Sequence, residues 1–83
     1  MSYEELMSAR KKTVGTKQTM KALERGQAKV VYVAQNADRH VVEPVLRICA
    51  EKGVPVIQAD SMQALGKACR IDVGCAAAAI IEK

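Results

Sequence analysis

Runs of apolar residues alternate with polar segments along the chain, and their spacing predicts strands separated by helices. Residues 29–34 (KVVYVA) are a continuous β-branched run, typical of a central strand buried on both faces. Residues 54–59 (VPVIQA) predict a second strand, and Pro55 indicates a sheet edge or a strand start. Residues 75–81 (CAAAAII) predict a last strand, although alanine favours strands poorly. Residues 12–15 (KTVG) are consistent with a short strand or a turn.

Two helices are predicted in the N-terminal third. The first covers residues 3–11, is acidic at its start and basic at its end, and has Ser2 available as N-cap. The second runs from about Thr16 to Arg25, because Gly26 follows where helices commonly end. Its apolar side consists of Thr19, Met20 and Leu23, and its polar side of Lys17, Gln18, Lys21 and Arg25.

A third helix follows a predicted loop at residues 35–40. Pro44 fits best in its first turn, where the missing N–H does no harm, and Gly53 ends it. We expect this helix to pack its apolar stripe inward, namely Val45, Leu46, Ile48 and Cys49.

The fourth helix covers residues 61–69 and is capped by Asp60 or Ser61. Its inner stripe is Met62, Leu65 and Cys69. Gly66, in the middle, either allows a neighbouring segment to approach closely or simply lowers stability, by about 1 kcal/mol relative to alanine.

Regular alternation of helices and strands predicts the α/β class. We expect a three-layer α/β/α sandwich with a four-stranded mixed sheet, formed by residues 1–83 as a single domain. A chain of 83 residues buries only about 60–65% of its unfolded surface, which disfavours a deep, enclosed active site.

Candidate chemistry is sparse. "GK" at 66–67 lacks the remaining residues of a phosphate-binding loop, and Asp60 and Asp72 are better explained as cap and loop residues than as an acid–base pair. His40 is the only histidine and is most simply a solvated loop residue. The ligand spacing that a zinc site needs is absent from the sequence. We therefore expect neither an enzyme nor a bound metal or cofactor.

The cysteines indicate the compartment. Cys49, Cys69 and Cys75 are odd in number, lack C-x-x-C spacing and lie in apolar runs, which predicts buried free thiols in a reducing cytoplasm. Residues 3–12 are too charged for a signal segment, and the longest apolar run, 75–81, is too short to span a bilayer.

Positive charge is concentrated at one end of the chain. Residues 1–29 contain seven Lys or Arg and three Glu, whereas residues 30–83 contain six basic and six acidic residues, so the net charge of +4 lies in the first third. Such an excess indicates a polyanionic partner. The alternative is a solvated helix face that aids solubility.

The start of the second helix is the best candidate for that contact. Gly15 permits close backbone approach, and the helix N-terminus after it presents unpaired N–H groups to an anion. Lys21 and Arg25, one and two turns on, can follow phosphates, while Lys17 and Gln18 can reach base edges. Alternatively, Gly15 is only a turn glycine and the lysines are solvated.

Two aromatic residues, Tyr3 and Tyr32, cannot supply the stacking platform of single-strand binders. A helix terminus that meets folded RNA at an open groove or bend fits better, because folded RNA is often recognised by shape.

Several segments in order resemble the kink-turn-binding ribosomal protein family of archaea and eukaryotes, the L-seven-Ae/L-thirty-e superfamily, and especially its short bacterial YbxF-like members. The resemblance covers almost the whole chain. Its motifs are "GTKQTMK" at 15–21, "ERG" at 24–26, "VVYVA" at 30–34, "EKGVPV" at 51–56 and "LGKACRIDVG" at 65–74.

The resemblance implies an α/β/α sandwich that binds the kink-turn, a sharply bent RNA with tandem sheared G·A pairs. Gly15 and Thr16 would then bring backbone close to the RNA, Lys17 and Gln18 would face the guanines, and Lys21 and Arg25 would hold phosphates. The loop before the last strand would cover the extruded nucleotide. Ile71 and Val73 would give apolar cover to this base, and Arg70 would place a cation nearby. This loop consists of Arg70, Ile71, Asp72, Val73 and Gly74.

The loop could instead be an ordinary helix–strand connection with two residues in the core. The archaeal pattern has Asn-Glu where this chain has Lys17-Gln18. Neutral glutamine accepts more weakly than glutamate, whereas Lys17 adds electrostatic attraction. We therefore expect that the kink-turn preference is retained, with altered affinity and sharper salt dependence.

Three hypotheses follow. The first is a monomeric, cytoplasmic, non-enzymatic protein that binds kink-turn RNA, with ribosomal RNA among its candidate targets. The second is a protein–protein adaptor on the same scaffold, which would show an exposed apolar patch and no basic face around residues 15–25. A membrane-surface helix over residues 4–25 is disfavoured, because Gly15 interrupts it and aromatic anchors are missing.

Overall fold

A computed structural model describes residues 3–82 and contains helices and strands in regular alternation. The predicted α/β class is confirmed. The elements in chain order are α1 (Glu4–Ser8), β1 (Lys11–Val14), α2 (Thr16–Glu24), β2 (Val30–Ala34), α3 (Arg39–Lys52), β3 (Val56–Ala59), α4 (Met62–Ala68) and β4 (Ala77–Glu82).

The four strands form one mixed sheet, as predicted, and the structure gives their order as β1-β4-β2-β3. Strand β4 is antiparallel to both of its neighbours, and β2 and β3 are parallel. Strands β1, β2 and β3 therefore run in one direction and end at the same edge, where β4 begins. We call this the carboxyl edge of the sheet, defined by Val14, Ala34, Ala59 and Ala77. Helices α2, α3 and α4 all begin near it, because each follows one of these strands.

Helices cover both faces of the sheet, which gives the predicted three layers. Alternate residues of β2 point to opposite faces, as a strand requires. The core on the α1 and α4 side includes Leu6, Val30, Tyr32, Leu65 and Ile80. The core on the α2 and α3 side includes Leu23, Val31, Val33, Val45 and Ala79.

The alanine-rich last segment is a strand, as predicted, although it begins at Ala77 instead of Cys75. Residues 77–79 are fully buried between helices on both faces. Small side chains at these positions allow helices to pack close to the sheet, and burial in a central strand overrides the weak strand preference of alanine.

The first helix is shorter than the predicted residues 3–11. It ends at Ser8, and β1 begins three residues later. The Lys12 ammonium donates to the Leu6 carbonyl oxygen at 3.1 Å, replacing a donor that a longer helix would supply. Pairing of β1 with β4 thus prevails over local helix propensity, and β1 is a strand instead of a turn. The predicted N-cap, Ser2, lies outside the described residues.

Pro44 lies inside the third helix, so its predicted place in the first turn is wrong. The helix begins at Arg39, because the Asp38 carboxylate accepts a 2.8 Å hydrogen bond from the backbone N–H of His40 and caps it. The predicted loop 35–40 therefore ends at Asp38.

The inward face of α3 also differs from the prediction at one position. Leu46 is 38% exposed, whereas Val42 is buried. With the helix starting at Arg39, the buried stripe is Val42, Val45 and Cys49, at spacings of three and four residues. Ile48 is half-buried.

The other predicted positions around β3 and α4 are confirmed. Pro55 directly precedes β3, which is an edge strand. Ser61 is the cap of α4, since its hydroxyl accepts from the Ala64 N–H at 3.0 Å. Leu65 and Cys69 are buried on its inner side, and Met62 is half-buried.

Candidate nucleic-acid interface

Gly15 starts α2 in a backbone conformation that favours glycine. Its φ of 95° and ψ of 157° lie in a region that side chains with a Cβ rarely adopt. A Cβ added at Gly15 would meet no atom within 4 Å, so the conformation demands glycine and the space in front of it is open. The Gly15 N–H donates to the Ala77 carbonyl at 2.8 Å, which anchors the helix start to the carboxyl edge.

Among residues 3–82, no side chain is seen to cap the start of α2. The first N–H groups of a helix lack intrahelical partners, and Asp38 and Ser61 fill this role for α3 and α4. Gly15, the N-cap of α2, makes no side-chain cap hydrogen bond. The partial positive charge of this helix end therefore lacks the side-chain acceptor that the other two helices have.

The two sides of α2 divide as predicted. Thr19 and Leu23 are fully buried, and the Thr19 hydroxyl lies 2.9 Å from the Thr13 hydroxyl, which ties the helix to β1. The opposite side is exposed and carries Lys17, Gln18, Lys21 and Arg25.

These α2 cations increase the positive potential of the helix start. The surface ion pairs Arg10–Glu82 and Arg47–Glu43 involve other elements. Cations four residues apart repel one another. Lys17, Lys21 and Arg25 therefore form a stripe that is well suited to a polyanion.

The chain leaves α4 through a left-handed residue, Arg70. Its φ is 63°, a value at which glycine is usual. The Arg70 N–H donates to the Lys67 carbonyl and the Ile71 N–H to the Gly66 carbonyl, each at 3.0 Å. This is the paired hydrogen-bond pattern of a Schellman C-cap, and it fixes how the loop 70–74 leaves the helix.

Gly66 determines where this loop lies. A Cβ at Gly66 would overlap the Val73 carbonyl oxygen, so the loop packs directly on the helix backbone. Of the two alternatives for this glycine, the structure shows the close approach of a neighbouring segment. The side chain of Val73 is 69% exposed, whereas Ile71 is half-buried against the core. Only one of the two predicted apolar contacts, Val73, thus faces solvent.

The sheet topology brings the two predicted segments together. The Gly15 N–H bonds to Ala77, and the Cys75 N–H bonds to the Met62 carbonyl at 3.0 Å. The start of α2 and the end of the loop 70–74 therefore adjoin at the carboxyl edge. Arg25 lies at the far end of α2, about 13 Å along a helix of nine residues.

The remaining predicted members surround this junction. Thr16 is half-buried at the first helical position, and Asp72 and Gly74 are exposed in the loop. We refer to the predicted set as the α2–loop surface, which comprises Gly15, Thr16, Lys17, Gln18, Lys21, Arg25, Arg70, Ile71, Asp72, Val73 and Gly74.

Asn36 belongs to the same edge and was missed from the sequence. It follows β2, and its side-chain oxygen accepts from the Met62 N–H at 2.8 Å, which holds the start of α4. Loop residues lack periodicity, so the only available signal was a polar amide directly after a buried strand.

Replacing Arg70 with glycine is expected to raise the free energy of unfolding by about 1 kcal/mol, because the left-handed conformation costs a residue with a Cβ about 1–2 kcal/mol. The same change removes a cation beside the loop. Urea denaturation measures the free energy of unfolding, and titration with RNA measures the affinity. An Arg70→Gly protein that is less stable than the parent would contradict backbone strain at Arg70.

Two further features concern ligands and membranes. Within residues 3–82, no group of three or more His, Cys, Asp or Glu is arranged to hold a metal ion. No helix in that part of the chain is long and apolar enough to cross a membrane.

Known proteins resemble this chain over almost its whole length. The sequence matches the ribosomal protein L7Ae/L30e/S12e/Gadd45 family over residues 2–83. The chain belongs to this family.

Bacterial relatives are close in both sequence and length. An RNA-binding protein of Geobacillus sp. (strain WCH70) is 52% identical over 81 residues, which cover 98% of this chain and 99% of the relative. The RNA-binding protein YbxF of Geobacillus stearothermophilus is 51% identical with the same coverage.

A solved structure is similar as well. The 15.5 kD RNA-binding protein of Giardia lamblia superposes with a TM-score of 0.86 at 30% identity, over 98% of this chain and 68% of that protein. The similarity extends to a eukaryotic protein longer than this chain, and it supports the fold as described.

Proposed function

We propose that this protein binds structured RNA and recognises kink-turn motifs through the α2–loop surface. The observation that carries the proposal is the uncapped start of α2, lined by exposed cations and adjacent to the exposed Val73 side chain. Membership of the L7Ae/L30e/S12e/Gadd45 family and relatives named RNA-binding proteins support it.

The start of α2 provides contacts to base edges and contacts to phosphates, and RNA recognition needs both. Gly15 and Thr16 let the RNA approach the backbone, because a Cβ at position 15 is absent and the space there is open. Lys17 and Gln18 extend from the first turn and can contact guanine edges. Lys21 and Arg25 continue the stripe and contact phosphates, which fix the register of the protein on the RNA.

The loop 70–74 provides the apolar contact. Val73 covers an unstacked base, because it is the most exposed large apolar side chain among the described residues. Arg70 and Asp72 border it with opposite charges, and the rigid contact of Val73 with Gly66 keeps the loop in place. A preformed loop lowers the entropic cost of binding.

Binding would stabilise the bent RNA over its extended form, since a ligand shifts an equilibrium toward the state that it contacts. This role requires no chemistry, in keeping with a non-enzymatic protein. We further propose that the protein acts as a cytoplasmic monomer and that a kink-turn in ribosomal RNA is one of its binding sites.

The test is a titration of two RNAs that differ only in the G·A pairs of the bend. We expect at least about tenfold tighter binding of the intact kink-turn, equivalent to about 1.4 kcal/mol. Gel-shift or calorimetric titration at fixed salt gives the ratio. Equal affinities would contradict recognition of the kink-turn and leave only electrostatic attachment to RNA.

The adaptor hypothesis is less well supported. It required the absence of a basic face around residues 15–25, and Lys17, Lys21 and Arg25 are exposed there.

A further inference from the structure

Strand β3 is an edge strand, so one of its two sides is open among the described residues. On its inner side, the carbonyl oxygens of Pro55 and Ala59 accept N–H groups of β2 at 3.0 and 2.9 Å. In a parallel ladder, every second residue of an edge strand bonds to the neighbouring strand. The backbone N–H and C=O groups of Val56 and Gln58 therefore point outward, away from the sheet.

A groove of about 350 Å³ lies beside this open edge. Apolar residues of β2 and α3 line it, among them Val33, Val42 and Leu46, and β3 contributes Gln58. Val33 and Gln58 are partners in the ladder, so the groove is on the face of the sheet that α3 covers. Helix α3 does not reach over the whole of β3, since Leu46 and Val56 are both exposed.

The groove has a cation at one end and apolar side chains at the other. Arg39 is the one charged residue in the lining that the structure describes. It takes part in neither ion pair described above, and the adjacent Asp38 carboxylate is occupied as the cap of α3. Arg39 begins α3 at the carboxyl edge, whereas Leu46 lies about 10 Å further along the helix.

The open edge indicates the chemistry of the occupant. Outward N–H and C=O groups that alternate at strand spacing pair with the backbone of another extended chain. Residues 56–59 contain no charged residue and no proline, two of the devices that keep an edge strand from pairing. The single cation in the groove favours an acidic side chain, and the apolar residues beside it favour aliphatic ones.

We propose that the open edge of β3 binds an extended, acidic and apolar peptide segment of a partner protein, which pairs with β3 as an additional strand. Antiparallel pairing is the more stable arrangement. It places the acidic residue of the peptide beside Arg39. Aliphatic residues two and four positions later then face Leu46 and Val56, because alternate residues of a strand share a face.

This surface is separate from the α2–loop surface. Strand β3 and strand β1, which leads into α2, lie at opposite edges of the sheet with two strands between them. Three strand spacings amount to about 14 Å. The proposal therefore does not rest on the proposed binding of RNA.

The probe is a synthetic peptide with blocked termini, Thr-Glu-Thr-Val-Thr-Ile-Thr, titrated into the full chain and followed by NMR. We expect amide shifts centred on residues 39–46 and 56–59, and slower hydrogen exchange of the Gln58 N–H. The control peptide has the same sequence with N-methyl groups on alternate residues, which removes the donors that would pair with β3. Equal binding of the two peptides, or no shifts with about 1 mM of the first, where a binding free energy of about 4 kcal/mol half-fills the site, would overturn the proposal.

Gln58→Pro tests the backbone pairing. It removes an outward N–H, whereas pairing with β2 uses the backbone of Ile57 and Ala59, so proline is compatible with this edge position. We expect more than about tenfold weaker peptide binding, because a hydrogen bond is lost and the ring blocks close approach. Affinity for kink-turn RNA should stay within about threefold of the parent, since no charge is removed.

Arg39→Gln tests the charge and decides the matter if Gln58→Pro does not fold. It should weaken binding of the glutamate peptide by about two- to fivefold, the effect of an exposed ion pair, and leave binding of the same peptide with glutamine unchanged. Arg47→Gln, on the same helix, is the matched control and should bind both peptides like the parent protein.

Two other results would also overturn the proposal. Undiminished peptide binding by Gln58→Pro would show that the peptide does not pair with β3. Shifts at residues 56–59 that depend on protein concentration, without peptide, would show that a second copy of this chain occupies the edge instead.

Discussion

Replacing Lys17 and Lys21 together with alanine is expected to weaken kink-turn binding by about 10- to 100-fold near 0.1 M salt. Each charged hydrogen bond contributes roughly 1.5–3 kcal/mol when intact, and partial compensation by the neighbouring cations reduces the sum. Both side chains are exposed on the α2 stripe, so their removal should leave the fold intact. The salt dependence should change in parallel, with the slope of log K against log salt reduced by about two.

A matched control has the same loss of two positive charges at another place. Arg47 and Lys52 are exposed on α3, and the Arg47–Glu43 ion pair at 3.5 Å is a surface pair of little energetic weight. The Arg47→Ala/Lys52→Ala protein should bind within about threefold of the parent, since only long-range attraction is lost. Equal losses in the two double variants would show that net charge, and not the α2 stripe, determines affinity.

The second large effect is expected at Gly66. Alanine is the better helix former by about 1 kcal/mol, yet its Cβ would overlap the backbone oxygen of Val73. Backbone cannot rotate away as a flexible side chain can, so the loop 70–74 must move. We expect Gly66→Ala to lower the free energy of unfolding by about 1–3 kcal/mol and to weaken RNA binding as well.

Urea denaturation of Gly66→Ala beside Gln63→Ala checks this expectation. Gln63 is exposed in the same helix, and its replacement should be neutral within about 0.5 kcal/mol. A Gly66→Ala protein as stable as the parent would contradict the close packing of loop on helix.

Some helix boundaries and the inward face of α3 were not predicted, because they depend on long-range strand pairing and on side-chain caps. The β-branched run of β2 and the polar and apolar sides of α2 follow from local pattern, and both are confirmed. Pro44 suggested a late start for α3, because a helix interior normally excludes proline. Because Asp38 caps the helix, α3 begins earlier in the chain than predicted. Its inward face therefore includes Val42 and not Leu46. The short α1 reflects pairing of β1 with a strand at the opposite end of the chain.

The candidate site was predictable as two segments and not as one surface. Glycine followed by spaced cations marks the start of α2, whereas the adjacency of residues 15–18 to the loop 70–74 depends on β4 lying beside β1. The division between buried Ile71 and exposed Val73 depends on the contact of the loop with Gly66.

Mapping of backbone amide shifts by NMR during titration with kink-turn RNA tests the central claim most directly. We predict that the largest shifts cluster at residues 15–21 and 70–74, the two segments that meet at the carboxyl edge, and that they fade when the G·A pairs are disrupted. Shifts centred on α3 and β3, with residues 15–21 unaffected, would contradict an RNA-binding surface at the uncapped start of α2.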